Sequence, residues 1–306
     1  MNTFYLRISS ITTITVILVI AAGSIVRTTQ SGMGCPDWPT CYGLIIPPTA
    51  IDQLPLNYQQ LYANQGIPAE SFDVLKTWIE YVNRLLGALL GLFVLLQTAL
   101  SIKFRNLHPR QMYASMALLV FTGLQGWLGA RVVSSNLAPY KITIHMIVAF
   151  IILLIATYAS YQSEDNRTKD KHIFRLSLMA MGLMFIQLLM GTQVREEIDL
   201  LAKSLNFMQR EIWIDNLSTL FPIHRSFSLL ITGVIAYILY KCRQNGEIWE
   251  AIRTQRLFLM GGLGISIFSG IVMTYFSVPA AMQPTHLICA SVIIWSLFGI
   301  ILRIRS

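Results

Sequence analysis

Residues 78–101 read WIEYVNRLLGALLGLFVLLQTALS, an apolar run interrupted only near its start by Glu80, Asn83 and Arg84. As a helix, a run of this length crosses the roughly 30 Å hydrocarbon core of a bilayer. Seven more runs of the same kind lie at 8–27, 112–133, 141–161, 173–194, 219–241, 255–277 and 281–303. The chain has 306 residues, 54% hydrophobic and only 12% charged, which is more apolar side chain than a soluble core of this size hides. The expectation is an all-α integral membrane protein with eight transmembrane helices.

The first run follows Arg7 and also fits a cleaved signal peptide. Its length, and the likeness of its end to a later helix, favour a retained span. Nothing else reads as a targeting segment.

Net charge is +8, and its distribution carries more information than its sum. With the N-terminus inside, the cytoplasmic segments hold Arg7, Lys103, Arg105, Arg110, Arg167, Lys169, Lys171, Arg175, Lys241, Arg243, Arg253, Arg256, Arg303 and Arg305. They also hold Glu164, Asp165, Asp170, Glu247 and Glu250, so that side nets nine positive charges and the remainder one negative. The positive-inside rule then puts both termini in the cytoplasm. The basic balance is a topological signature, and without a clustered basic groove interleaved with aromatics it excludes nucleic acid as a partner.

The same residues recur at a fixed offset. Asn83-Arg84 matches His224-Arg225, Gly129 matches Gly270 and His145 matches His286, all 141 positions apart. Gly23-Ser-Ile-Val-Arg27 matches Gly191-Thr-Gln-Val-Arg195 at 168, the excess being loop. Four spans is an even number, so both halves enter from the same side. This predicts two tandem four-helix bundles related by a pseudo-twofold axis near the membrane normal, at 1–165 and 166–306.

Asn83, His145, His224 and His286 each lie early in a span that starts on the outer face, and 62 residues separate the two members of each half. Polar groups in a span are costly and face the bundle interior. Two facing imidazoles either clamp a haem iron axially or act as interhelical hydrogen-bonding glue. For His224 and His286 the haem reading is preferred. His145 has Asn83 for a partner, a poor iron ligand, so its site is five-coordinate or filled transiently. His108 and His172 sit among cytoplasmic cations and are assigned no role.

Glu80 lies one turn before Asn83, with Phe221 in the matching position. It either transfers protons or stabilises a developing cation beside a ligand, or is a solvated interfacial acid near Lys76. Arg84, Arg225, Arg27 and Arg195 either pair with haem propionates or snorkel to the interface. Cys35 and Cys41 bracket Pro-Asp-Trp-Pro-Thr in a long outer loop, 28–77, which is expected to cover the first-half site. The pair reads as a disulfide that staples this loop or exchanges thiols with a redox partner. Cys242 and Cys289 read as buried thiols. Gly126, Gly129 and Gly270 read as sites of close helix approach, and aromatics near span ends as an interfacial belt.

The eight spans, the repeat, the outer-loop cysteine pair, Glu80-Tyr-Val-Asn83-Arg84 and His224-Arg225 together resemble the haem A synthase family, over essentially the whole chain. That family oxidises the C8 methyl group of haem O to a formyl group by two successive hydroxylations, the second product losing water. The resemblance implies that His224 and His286, with Arg225 and Arg195, hold a haem b cofactor. It also implies that His145, Asn83, Arg84 and Arg27 hold haem O, with Glu80 as the catalytic carboxylate. The family has histidine where this chain has Asn83, a departure from bis-histidine ligation of the substrate. Residues 195–218 lack the second cysteine pair of many relatives. Implied partners are haem O synthase, an electron donor or acceptor, membrane lipid and further copies of the chain. The implied location is a bacterial inner membrane, in support of cytochrome oxidase assembly. Two other classes share parts of this pattern. A non-enzymatic dihaem electron carrier needs the histidines but not Glu80, and a transporter with parallel duplication needs no iron.

Overall fold

The computed structural model describes residues 3–62, 72–103, 105–106, 108–161 and 168–305. Of the charges counted above, Glu164, Asp165 and Arg167 lie outside the described residues, as do residues 63–71 of the first long loop. The described helices are α1 Thr3–Thr28, α2 Tyr58–Tyr62, α3 Val74–Lys103, α4 Pro109–Val133, α5 Pro139–Ser160, α6 Lys171–Ser204, α7 Leu220–Gln244, α8 Gly246–Ala251, α9 Arg253–Tyr275 and α10 Met282–Arg303. Among the described residues, eight of them, all but α2 and α8, are long and apolar enough to cross a membrane. The chain is an integral membrane protein. Leu92, Leu95, Val120, Leu229, Phe258 and Phe268 are exposed on these helices, as expected where the surrounding solvent is lipid.

Met1–Ser160 is one compact unit. In it α1 packs on α3 and α5, α3 on α4, and α4 on α5. A buried polar network ties these four helices together at one end. The Tyr5 hydroxyl donates to the Ala159 carbonyl at 3.1 Å and lies 3.2 Å from Ser115 Oγ. Gln97 donates to the same Ser115 hydroxyl, and Thr98 donates to the Ser115 carbonyl. Each polar atom in this network that found a partner removes a desolvation cost of order 1–3 kcal/mol.

Tyr161–Ser306 is the second unit. Here α6 packs on α7 and α10, and α9 on α10. One face of α10 buries Cys289, Ile293, Ile294, Leu297 and Ile300. The Asp170 carboxylate caps α6 by accepting from the backbone N–H groups of His172 and Ile173. Beyond the ends of α6 and α10 lies a two-residue parallel pairing, β1 Thr168–Lys169 with β2 Ile304–Arg305.

Helix α6 runs ten residues past the span expected to end at 194. At 34 residues it is about 51 Å long, more than a bilayer core requires. The extension carries its own stripe of Val194, Ile198 and Ala202, at helical spacing, packed on Trp213 and Val278. An Arg195–Asp199 ion pair one turn apart adds to it.

The long loop before α3 has a small core of its own. Cys35 and Cys41 form a buried disulfide, and Cys41 and Leu44 exchange backbone hydrogen bonds. Tyr42 is edge-on to Tyr58, Tyr62 and Phe72, with ring centroids 5.6–6.2 Å away.

Candidate functional site

The four slot residues each face a glycine on a helix of the same unit. A Cβ at Gly23 on α1 would lie 4.0 Å from Asn83 Oδ1, and one at Gly129 on α4 would lie 3.5 Å from His145 Cε1. In the second unit a Cβ at Gly191 on α6 would sit 3.1 Å from His224 Cε1, and one at Gly270 on α9 would sit 3.7 Å from His286 Cε1. Gly129 and Gly270, read from sequence as helix-approach sites, make room for imidazole rings. Gly126 meets nothing within 4 Å and serves no close approach among the described residues.

The rings differ in what holds them. His286 Nδ1 lies 3.0 Å from the Ser266 carbonyl, 3.0 Å from Ser269 Oγ and 3.4 Å from Ser266 Oγ. His224 is approached by Gln187, whose amide donates to the His224 carbonyl at 3.1 Å and lies 3.5 Å from Nε2. Gln125 likewise donates to the His145 carbonyl at 3.0 Å. Of the twelve buried side-chain atoms without a hydrogen-bond partner among the described residues, five lie at these slots: Asn83 Oδ1, Gln125 Oε1, His145 Nδ1, Gln187 Oε1 and His224 Nδ1. A buried polar atom without a partner calls for an explanation, and a ligand bound between the facing slots supplies one for those gathered here.

His224 on α7 and His286 on α10 belong to the same compact unit. Among the described residues no group of three or more His, Cys, Asp or Glu side chains could hold a bare metal ion. Two imidazoles suit a haem, because the porphyrin supplies the other four iron ligands. The second unit therefore fits a bis-histidine haem. The first unit offers one imidazole and one amide, a weaker set for iron.

Glu80 and Arg84 are bound into the disulfide loop. Glu80 is 4% exposed and does not lie in solvent beside Lys76, which is exposed. Its Oε1 accepts from Arg84 at 2.6 Å, and its Oε2 accepts the backbone N–H of Cys35 at 2.9 Å. Arg84 also donates to the carbonyls of Asp37, Thr40 and Cys35 at 2.6, 2.9 and 3.0 Å. Its two terminal nitrogens, which carry four protons, thus point into the loop. The Asp37 carboxylate shapes that loop by accepting from the Thr40 hydroxyl and the Tyr42 and Gly43 backbone N–H groups. Thr77 donates to the Gly34 carbonyl, and Tyr81 to that of Ile45. A Cβ at Gly34 would sit 2.5 Å from the Lys76 carbonyl oxygen, so only glycine lets the loop lie this close to α3.

In the second unit Phe221 and Arg225 replace the Glu80–Arg84 pair, with the guanidinium 5.9 Å from the ring centroid. Arg225 is exposed. Arg195 pairs with Asp199 at 2.8 Å and donates to Gln283. Arg27 is half-buried at the end of α1. His172 is exposed and edge-on to Tyr237, and Cys242 and Cys289 are free, buried thiols. The motif reading had passed over Gly34, Asp37, Gln125, Gln187, Ser266 and Ser269. Gln125 and Ser266 stand at the 141-residue offset but differ in type, so the repeat gives no match that marks them.

Comparison with known proteins adds an independent line. Residues 7–298 match the model of the COX15-CtaA family, described as cytochrome oxidase assembly protein. A relative from Shewanella oneidensis, named heme A synthase, is 25% identical over 93% of this chain and 91% of its own length. Proteins of the same name from Bartonella bacilliformis and Rickettsia rickettsii are also 25% identical. The first match covers 90% of this chain and 87% of the relative, the second 93% and 94%.

Proposed function

Because the chain belongs to the COX15-CtaA family of cytochrome oxidase assembly proteins, we propose that it is a haem A synthase, an oxidoreductase that converts the C8 methyl group of haem O to a formyl group by two successive hydroxylations and loss of water. The observation that carries this reading is the asymmetry of two otherwise matching slots. One has paired imidazoles. The other has His145, Asn83 and a buried carboxylate, Glu80, with no counterpart in the second half.

In this reading His224 and His286 hold a haem b, with Arg225 and Arg195 disposed toward its propionates. That haem, when bound, supplies one-electron redox chemistry. His145 and Asn83 hold haem O, with Arg27 near its propionates. Arg84 serves the same site through the loop it clamps. Glu80, fixed by Arg84 and Cys35, stabilises the positive charge that develops on the methyl carbon as two electrons and a proton leave it, the electrons going to the acceptor this role requires, and it can take the second proton, released when water adds. The disulfide loop excludes water above it. An apolar substrate reaches such a site from the lipid. The relatives are bacterial, and with the charge bias they support a bacterial inner-membrane location with both termini cytoplasmic. Haem O synthase and an electron donor or acceptor are the partners this role requires.

The test is expression beside a haem O synthase, followed by chromatography of the extracted haems. Haem A or its hydroxylated precursor is expected from the wild type, and accumulated haem O from Glu80→Gln. Haem b alone in both would instead make the protein an electron carrier.

A further inference from the structure

We propose that Ser269, with the Ser266 carbonyl, is the positioning device that makes His286 a permanent haem ligand, and that the absence of this device makes His145 an exchangeable one. The inference rests on the proposed function and concerns how two copies of one slot come to hold haem differently.

A carbonyl oxygen only accepts, so the 3.0 Å contact to Ser266 puts the proton on His286 Nδ1. In the neutral ring Nε2 then presents its lone pair for metal. Ser269 is fully buried, and its own O–H donates to the Ser266 carbonyl at 2.9 Å. Its oxygen, 3.0 Å from Nδ1, is left to accept. Nδ1–H is thus shared between two acceptors, and both the tautomer and the ring plane are set before iron arrives. Hydrogen bonding of this kind raises the basicity of a ligating imidazole.

The first unit lacks it. The positions 141 earlier are Gln125 and Leu128. Gln125 directs its amide to the His145 backbone carbonyl, Leu128 has nothing to offer a ring nitrogen, and His145 Nδ1 has no partner among the described residues. Gly129 and Gly270 face their rings at 3.5 and 3.7 Å, so the space given to each ring is alike and the backing is what differs. A resident cofactor must stay through many turnovers, whereas a substrate must leave. In the second unit the backing falls on His286 alone, since His224 Nδ1 also has no partner among the described residues; one backed ligand there against none in the first unit is the difference between the two slots.

The experiment uses the full-length protein purified with its haem b, comparing Ser269→Ala, Ser269→Val and Ser269→Thr. Val and Thr share a shape and differ by the hydroxyl, which separates hydrogen bonding from packing and covers the case in which the alanine variant fails to accumulate. Ala and Val are expected to raise the midpoint potential, since a less basic imidazole stabilises ferric iron less, and to release haem to apomyoglobin roughly tenfold faster or more. Thr is expected to keep wild-type values. Leu128→Ala, a truncation at the matching slot, is expected to change neither. Equal potentials and release rates for Val and Thr would overturn the positioning role while leaving the proposed function in place. Wild-type protein without haem would overturn both.

Discussion

Glu80 Oε2 accepts the backbone N–H of Cys35, 45 residues upstream, at 2.9 Å. The carboxylate assigned to the chemistry is therefore held by the loop that the disulfide closes. Arg84 completes the clamp by bonding Glu80 and three carbonyls of that loop. Position of the charge and integrity of the loop become one property.

Arg84→Lys keeps a cation but loses the fork that reaches four acceptors at once. Conversion of haem O is expected to fall roughly 100-fold, the scale of losing a positioned charge in an active site. Haem b content should stay at the wild-type level, since its proposed ligands, His224 and His286, lie in the other unit. Product chromatography and a pyridine haemochrome assay read the two quantities separately, and parallel loss of both would contradict the clamp.

Asp37→Ala removes the acceptor shared by Thr40, Tyr42 and Gly43. Hydrogen bonds to a charged group contribute about 1.5–3 kcal/mol each, so the Cys35–Cys41 bond should become reducible by mild phosphine at least about tenfold faster. Maleimide mass shifts over time give the rate. An unchanged rate would mean that the disulfide loop does not depend on its carboxylate.

Gly191→Ala brings a methyl group to 3.1 Å from the His224 ring, tighter than ordinary contact, whereas Gly23→Ala brings one to 4.0 Å from Asn83. The first is expected to weaken haem retention about tenfold, on the scale of disturbing a ligand's orientation. The second should be close to neutral. The difference is measured as haem per protein after purification, at matched helicity.

The spans were legible because lipid demands long apolar runs, and the slots because polar residues inside such runs are costly. Asn83, His145, His224 and His286 stood out for that reason, and the 141-residue offset linked them. Three features were hidden. The extension of α6 past residue 194 carries Glu196, Glu197 and Asp199, which read as a loop until Val194, Ile198 and Ala202 are seen to pack on Trp213. Arg84 gave no sign that its guanidinium points into the 35–43 loop, because a charge at a span end has many partners open to it. Ser266 and Ser269 looked like ordinary small residues in an apolar helix, and only the folded positions set them against a ring nitrogen.

Tyr42 lies outside the spanning helices at 2% exposure, and burial, with Tyr58, Glu80 and Asp37 nearby, pushes its phenol up from 10.0 to about 12. The folded loop favours the protonated form. Its contribution to loop stability is full below pH 10 and is lost as pH rises toward about 12. Tyrosinate absorbance should show a late-titrating phenol that Tyr42→Phe removes; a curve unchanged by the substitution would contradict the buried cluster.

Orientation is read with an impermeant maleimide. In intact cells Thr49→Cys is expected to label and Gln244→Cys to stay unlabelled until lysis, as the cation bias requires. The reverse pattern would put Glu80 on the wrong side of the membrane for this account.

The division of labour between the two units is tested most directly by counting haem in protein purified from cells that make haem b but no haem O. Wild type and His145→Ala are each expected to carry one haem b per chain, and His286→Ala none. Haem retained by His286→Ala, or lost equally from His145→Ala, would contradict a resident cofactor in the second unit and an exchangeable site in the first.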